Sequence, residues 1–268
     1  MLTLYFSGTG NTEFIAKLFS ARMEAECLSI EENMDAADFS ERISVHDTLA
    51  FCYPIYCSRV PRNMREFTAA HKDFINGKKV IILVTQMFFS GDGARVFTDL
   101  FEDGAIEVIY AEHFNMPLNM GNVAILNPWK PSDRSIRKSL ERAKIKMARI
   151  CGDINKGIVK KRGFAKGSEL LGFIQGKPWQ KDTESIHAQR GEKRGQVGVK
   201  VFDNCNACNL CTRICPMNNL VNDGGKIIQQ GNCAVCYRCV NHCPQKAVTV
   251  LIPCRPKWQY KGPYEGSC

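Results

Sequence analysis

Eight cysteines hold the densest chemistry in this chain. They read Cys205-x-x-Cys208-x-x-Cys211-x-x-x-Cys215-Pro216, and the pattern returns at Cys233, Cys236, Cys239, Cys243 and Pro244. Every cysteine recurs after 28 residues. Thiolates three residues apart can wrap a tight loop around one face of a cube-shaped iron–sulfur cluster. The fourth cysteine of each run, followed by proline, lies too far along to close the same loop, and in two-cluster proteins it ligates the other cluster. The spacing therefore assigns one [4Fe–4S] cluster to Cys205, Cys208, Cys211 and Cys243, and a second to Cys233, Cys236, Cys239 and Cys215. Zinc sites usually take two C-x-x-C pairs and four ligands in all, which these two longer runs do not suit. A disulfide framework needs an oxidising compartment, and nothing in the sequence suggests export.

Over roughly residues 199–252 the chain resembles a bacterial-type two-cluster ferredoxin. Residues 199–202 read as an edge strand that pairs with residues 247–252, and the tail 253–268 reads as extended. His242, beside Cys243, is expected to be inert because the cysteine ligands are already complete.

A second constellation opens the chain. Residues 2–6 form a short apolar run that ends at Ser7-Gly8-Thr9-Gly10-Asn11-Thr12-Glu13, after which Phe14, Ile15, Leu18 and Phe19 recur at helical spacing. Strand, hydroxyl- and glycine-rich turn, then helix: such a turn presents backbone N–H groups and hydroxyls where the helix dipole favours an anion. It is neither a Walker A loop nor a G-x-G-x-x-G fingerprint, because no Gly-Lys-Ser/Thr follows and position 13 is Glu. Ser7, Thr9, Gly10 and Thr12 match the Ser/Thr-x-Thr-Gly-x-Thr phosphate loop of flavodoxins, which this part of the chain resembles. The resemblance implies FMN, with its phosphate held by neutral donors, consistent with the lack of a basic residue in the loop.

The elements that must position this loop are strands and helices in alternation. Residues 48–53, 79–85 and 106–114 read as further strands, the last counted as the fifth of a five-stranded sheet. Helices are expected at 11–24, 61–71, 93–102 and from Ser132 to about 154, where Ile136, Leu140, Ala143, Met147, Ile150 and Ile154 share one face. Continuously apolar strands imply a parallel sheet covered on both faces. The expected fold class is thus α/β, a flavodoxin-like doubly wound sheet over 1–155, followed by a small α+β ferredoxin domain. Ligands of open α/β sheets bind at the carboxyl ends of the strands. There the second strand's loop carries Pro54 and Tyr56, and the next carries Met87, Phe88, Ser90, Gly91 and Asp92. By the resemblance, Tyr56 flanks the flavin on one side and Met87 and Phe88 on the other. Ser90, Gly91, Asp92 and Gly93 would supply backbone groups to its edge.

The formal charge of +9 lies mostly in the basic connector 156–198. Residues 1–155 carry 18 Lys/Arg against 20 Asp/Glu, whereas 156–200 carry 11 against 4. Bound clusters and a flavin phosphate offset much of that surplus, so charge gives little support to nucleic-acid binding. The runs Lys160-Lys161-Arg162 and Glu192-Lys193-Arg194 read as solvated. Leu170, Leu171, Phe173, Ile174 and Trp179 are too apolar for a free linker, so the segment is expected either to form a short helix that bridges the two domains or to cover an exposed face of the sheet. Cys27, Cys52, Cys57, Cys151, Cys254 and Cys268 are scattered and read as small apolar residues or chance thiols. No leader or membrane-spanning run is visible, which reads as a soluble, cytoplasmic protein.

The whole chain resembles flavodoxin–ferredoxin fusion proteins of anaerobic bacteria, also called EFR-type ferredoxins. The resemblance implies a redox carrier that passes electrons between two clusters and FMN and exchanges them with low-potential redox proteins. The alternative is an FMN-dependent oxidoreductase reducing a small substrate, for which Tyr56, Asp92 and His113 are the proton donors at hand. A redox-sensing protein that engages an acidic partner is a third reading.

Overall fold

A computed structural model describes residues 1–268 except 33, 57–58, 88–89, 123–129, 166–167, 169–192, 194 and 264–268. The chain divides into two compact units. One comprises Met1–Ser7, Asn11–Met116 and Arg137–Lys177, and the other Gly8–Gly10, Pro117–Ile136 and Pro178–Cys268.

The first unit is built on a six-stranded parallel sheet. Its strands are β1 (Leu2–Tyr5), β2 (Glu26–Ser29), β3 (Thr48–Pro54), β4 (Lys79–Gln86), β5 (Glu107–Asn115) and β6 (Lys160–Lys161). They lie in the order β2-β1-β3-β4-β5-β6. Between strands run α1 (Asn11–Met23), α2 (Ala36–Ser44), α3 (Arg62–Ala70), α4 (Lys72–Ile75), a 3₁₀ helix at Arg95–Leu100, and α5 (Asp133–Asn155). The central strands β3 and β4 are apolar at almost every position and bury nearly every residue, as a sheet clad on both faces requires. Ser132 begins the last helix by accepting the Ser135 N–H (3.2 Å), and Leu140, Ala143, Met147 and Ile150 are buried along its inner face.

The count of five strands is corrected to six. The unread strands are the short ones at the edges. β2 is four residues of intermediate burial, and β6 is two exposed lysines paired with Tyr110 and Ala111. Neither carries an apolar run, because an edge strand faces water and charge protects it from further pairing. Lys160, Lys161 and Arg162 are indeed exposed, yet they also form this edge. The helix expected at 93–102 is only a turn and a short 3₁₀ segment. The connector's apolar residues Leu170, Leu171, Phe173, Ile174 and Trp179 lie outside the described residues.

The second unit pairs β7 (Val199–Val201) antiparallel with β10 (Val248–Val250), as expected, and adds a hairpin of β8 (Leu220–Asp223) and β9 (Lys226–Gln229). Two short helices, α6 (Leu210–Arg213) and α7 (Arg238–His242), carry the third cysteine of each run. The 28-residue repeat is therefore structural. It extends to the backbone, since φ is positive at Ala207, Asn209 and Asn218 and at their counterparts Val235, Tyr237 and Lys246. A β-branched valine at φ 60° is strained, and such strain persists only where surroundings over-determine it. The described tail is packed: Trp258 and Tyr260 are buried, and the Tyr260 N–H donates to Asn241 Oδ1 (2.7 Å). No helix among the described residues is long and apolar enough to cross a membrane.

Candidate functional site

The carboxyl ends of β1, β3 and β4 gather the first set of candidate residues in the first unit. Ser7 is buried at the exit from β1, and Asn11 and Thr12 open α1. The Thr12 hydroxyl shares a hydrogen bond with Thr85 at the end of β4 (2.7 Å), so the start of the helix is tied to the neighbouring strand end. Pro54 ends β3, and Tyr56 follows in a tight turn closed by reciprocal backbone bonds with Arg59. The Tyr56 ring is half-buried and meets Phe6 edge-on at 6.5 Å. Cys57 and Ser58 at the tip of this turn lie outside the described residues, as does Phe88 in the next loop. Met87 is half-buried after β4, and Ser90 donates to the Gln86 side chain, which in turn donates to Asn115 (2.8 Å).

Gly91 has φ +56, and a Cβ at Gly93 would collide with the Ser90 side chain, so the loop depends on both glycines. Asp92 is fully buried. Its Oδ2 holds Arg95 (2.9 Å), while Oδ1 has no hydrogen-bond partner among the described residues. A buried acceptor left unpaired is costly and fits a donor supplied by a ligand.

The middle of the hydroxyl-rich turn, Gly8–Gly10, groups with the second unit. Gly10 takes φ +90, which opens the turn without a Cβ penalty. Asn119 donates to Thr9 Oγ1 (3.2 Å). With that oxygen already accepting, the Thr9 hydroxyl proton is left to donate, which is the role a phosphate loop needs. Asn119 itself accepts from Asn241 of α7 (2.8 Å), and Arg238 of the same helix donates to the carbonyl oxygens of Gly8 (3.3 Å) and Ile214 (3.1 Å). Sequence reasoning missed Asn119, Arg238 and Asn241. Their partners Thr9, Gly8 and Asn119 stand more than a hundred residues away, so no local pattern marks these contacts.

His113 lies one strand over, in β5, and is 3% exposed. Its Nε2 accepts the Ala94 N–H of the loop after β4 (3.3 Å), so the ring is neutral and acts as a support for that loop. Burial pushes its pKa from 6.5 down to about 4. The nearby Arg162 and Lys146 push the same way, while Glu112 opposes them. Glu112 is buried too and bonds Lys146, Arg149 and Arg162 at 3.0 to 3.2 Å. Burial raises its pKa, but the His113 N–H and these cations outweigh that and lower it overall.

A histidine held neutral stabilises the fold fully above pH 6.5. That contribution fades as pH falls from 6.5 toward 4, because only the unfolded chain accepts the proton easily. Up to about 3 kcal/mol is at stake. Denaturant midpoints at pH 7 and 4.5 are expected to fall less for His113→Gln, which keeps a polar side chain, than for the parent. Equal falls in the two proteins would dismiss the neutral-histidine account.

The eight cysteines of the second unit lie close enough that three of the buried thiols have neighbours from the other repeat. Burial pushes the Cys211 thiol up to about 11, and the sulfurs close enough to add to this are those of Cys243, Cys205 and Cys208. Burial likewise pushes Cys233 up to about 12, with Cys236 and Cys215 as its neighbouring thiols. Cys239 is raised well above its ordinary value by burial, with Cys236, Cys233, Cys215 and Cys211 as its neighbouring thiols. A small hollow, partly open to solvent, is lined by Cys215, Cys233, Cys236 and Cys239, with Leu220 and Tyr237 among its walls.

Backbone N–H groups already point at sulfur: Asn219 to Cys215 (3.2 Å), Val235 to Cys233 (3.3 Å) and Ala247 to Cys243 (3.2 Å). The positive φ values at 207, 209, 235 and 237 fold each loop back on itself between its cysteines. Gln259 of the tail donates to the Cys243 carbonyl (2.7 Å), a support that cysteine spacing could not reveal. His242 bonds the Arg238 carbonyl within its own helix (3.0 Å). Among the described residues no three His, Cys, Asp or Glu side chains gather tightly enough for a single metal ion.

Elsewhere Cys52 and Cys151 are buried, Cys27 is half-buried and Cys254 is exposed; Cys57 and Cys268 lie outside the described residues.

Comparison with known proteins follows the same division. Residues 2–114 match the family described as Flavodoxin domain. Together with the strand order 2-1-3-4-5 of the main strands, this makes the N-terminal part of the chain a flavodoxin-like α/β domain. Among solved structures, the two-electron reduced flavodoxin of Megasphaera elsdenii is 22% identical, covering 43% of this chain and 86% of its own, with a TM-score of 0.37. General stress protein 14 of Treponema denticola, in complex with FMN, is 13% identical over 57% of this chain and 98% of its own, with a TM-score of 0.41. The WrbA-like flavodoxin of Agrobacterium tumefaciens is 17% identical over 58% and 97%, also with a TM-score of 0.41. No curated protein matches the chain.

Proposed function

We propose that this chain is an electron-transfer protein carrying an FMN and two [4Fe–4S] clusters, which exchanges electrons with low-potential redox proteins. The observation that most supports it is the crossed grouping of the thiols, with Cys243 among the first repeat's sulfurs and Cys215 among the second's. Two clusters supply one-electron chemistry, and FMN can store one or two electrons.

The chain's own residues then have these tasks. Cys205, Cys208, Cys211 and Cys243 hold one cluster, and Cys233, Cys236, Cys239 and Cys215 the other. The N–H groups of Asn219, Val235 and Ala247 stabilise thiolate charge and so bear on potential. Ser7, Thr9, Gly10, Asn11 and Thr12 bind the FMN phosphate with hydroxyls and backbone N–H groups at the start of α1. Pro54, Tyr56, Met87 and Phe88 flank the ring system. Ser90, Gly91 and Asp92 offer polar groups to its edge, with the unpaired Asp92 Oδ1 as an acceptor. The domains follow the functions: flavin binding over 1–155, a connector over 156–198, the cluster domain over 199–252 and the tail 253–268.

Anaerobic iron, sulfide and flavin assays on one sample test this directly. About eight irons and one FMN per chain are expected. Iron-free protein after reconstitution would overturn the cluster assignment, and iron without flavin even in added FMN would overturn the phosphate loop. Thr12→Leu is expected to weaken FMN binding about tenfold or more, equivalent to about 1.4 kcal/mol, while iron content stays unchanged. Unaltered flavin affinity would mean that the loop binds something else.

A further inference from the structure

The two crossed cysteine sets differ sharply in exposure. In the second, Cys233, Cys236 and Cys239 are all buried and Cys215 is half-buried. In the first, Cys211 and Cys243 are buried, but Cys205 is half-buried and Cys208 is exposed. The solvent-facing edge of the whole eight-cysteine array is thus the turn from Cys205 to Cys208.

That edge is framed by cations. Arg213 is exposed and reaches the Cys208 carbonyl (3.5 Å). Phe202, whose carbonyl accepts the Cys205 N–H (3.0 Å), has Lys200 over its ring at 5.2 Å and Arg255 at 4.9 Å. The same turn is bound to the segment before β10: Asn204 donates to the Gln245 carbonyl (2.8 Å) and the Phe202 N–H to Ala247 (2.8 Å). Lys246 lies in that segment and reaches the Lys257 carbonyl (3.1 Å), so two further exposed ammonium groups stand nearby. Across described residues 199–263 the carboxylates are those of Asp203 and Asp223 alone. Lys200, Arg213, Lys246, Arg255 and Lys257 outnumber them around Cys208, the one exposed cysteine of the eight, and its half-buried neighbour Cys205.

We propose that this basic rim around Cys205 and Cys208 is the docking face for an acidic redox protein, one whose own one-electron centre is ringed by carboxylates. The inference rests on the cluster reading above and names its partner class and point of contact. Rim charges of this kind steer encounter and fix orientation, and their effect is screened by salt. Placing them at the exposed edge makes the productive orientation also the attractive one.

The test is equilibrium binding of the iron-loaded, full-length protein to a strongly acidic [2Fe–2S] ferredoxin, by calorimetry at low and high salt. Lys200→Glu, Arg213→Glu and Arg255→Glu together are expected to weaken binding at least about tenfold at low salt, with the difference collapsing at high salt. The same charge change at Arg137, Lys138 and Arg142 of α5 is expected to cost under about threefold. Should the first triple variant fail to hold iron, Arg255→Gln with Lys257→Gln, both in the tail, is expected to weaken binding in the same salt-dependent way. Equal weakening by the two triplets, salt-independent binding, or no binding by loaded parent protein would each overturn the docking face. Parent protein that never loads iron would instead overturn the cluster reading on which it rests.

Discussion

Cys243→Ala is expected to abolish the cluster held by Cys205, Cys208 and Cys211 and to spare the one held by its own repeat. Cys215→Ala is expected to do the reverse. Each variant should retain about four irons of eight, a loss large enough to read by iron assay alone. The physical reason is reach. Within one run the first two cysteines sit on a loop that turns back at two left-handed residues, Ala207 and Asn209 or Val235 and Tyr237, and the third lies in the short helix that follows. The fourth cysteine follows the short helix and is carried away from that loop, toward the other repeat. The thiols that influence Cys211 are accordingly Cys243, Cys205 and Cys208, and those that influence Cys233 are Cys236 and Cys215. The identity of the surviving cluster can be read from which cysteines resist alkylation in the iron-containing variant. Protection of Cys233, Cys236 and Cys239 in Cys215→Ala would dispose of the crossover.

The second large effect is on folding. Stripping iron is expected to unfold β7 to β10 while leaving β1 and β3 to β5 intact. Among its described residues the second unit has only two-stranded sheets, of three or four residues per strand, and such ribbons are marginal in water. Seven of its non-glycine residues hold positive φ, Val235 and Leu251 among them, at roughly 1–3 kcal/mol each. Its buried thiols occupy the space an apolar core would otherwise fill. Metal–thiolate bonding must offset these costs, as it does for structural metal sites generally, where it is worth on the order of 10 kcal/mol. Amide hydrogen exchange on holo and iron-free protein separates the units. Protection is expected to vanish at Val199–Val201 and Val248–Val250 and to persist at Thr48–Pro54 and Lys79–Gln86. Persistent protection of β7 and β10 without iron would show that the unit stands on its own packing.

Legibility tracked the range of the interaction that fixed each feature. The strands at β3 and β4 were readable because a sheet covered on both faces demands an unbroken apolar run. The helix after Ser132 was readable because its cap and its 3.6-residue stripe are local. β2 and β6 escaped because edge strands need no such run, and the two lysines of β6 look like any solvated patch. The 3₁₀ segment at Arg95–Leu100 replaced an expected helix because the turn before it is taken up by Gly91, Asp92 and Gly93. Asp92 there spends one oxygen on Arg95.

The same divide holds for the sites. Cysteine types and spacing, repeated after 28 residues, are legible as two loops of like geometry, because the spacing of thiols along a short loop is a covalent matter. The run Ser7, Thr9, Gly10 and Thr12 sufficed to mark the turn between β1 and α1, because hydroxyls and glycines at a helix start are also local. Only the tertiary structure could show that Asn119 orients the Thr9 hydroxyl, that His113 supports the loop after β4, that Gln259 holds the Cys243 carbonyl, and that Cys208 alone among the cluster cysteines faces water. Each of these depends on partners brought together across the chain by burial, and burial leaves no periodic trace at a single position.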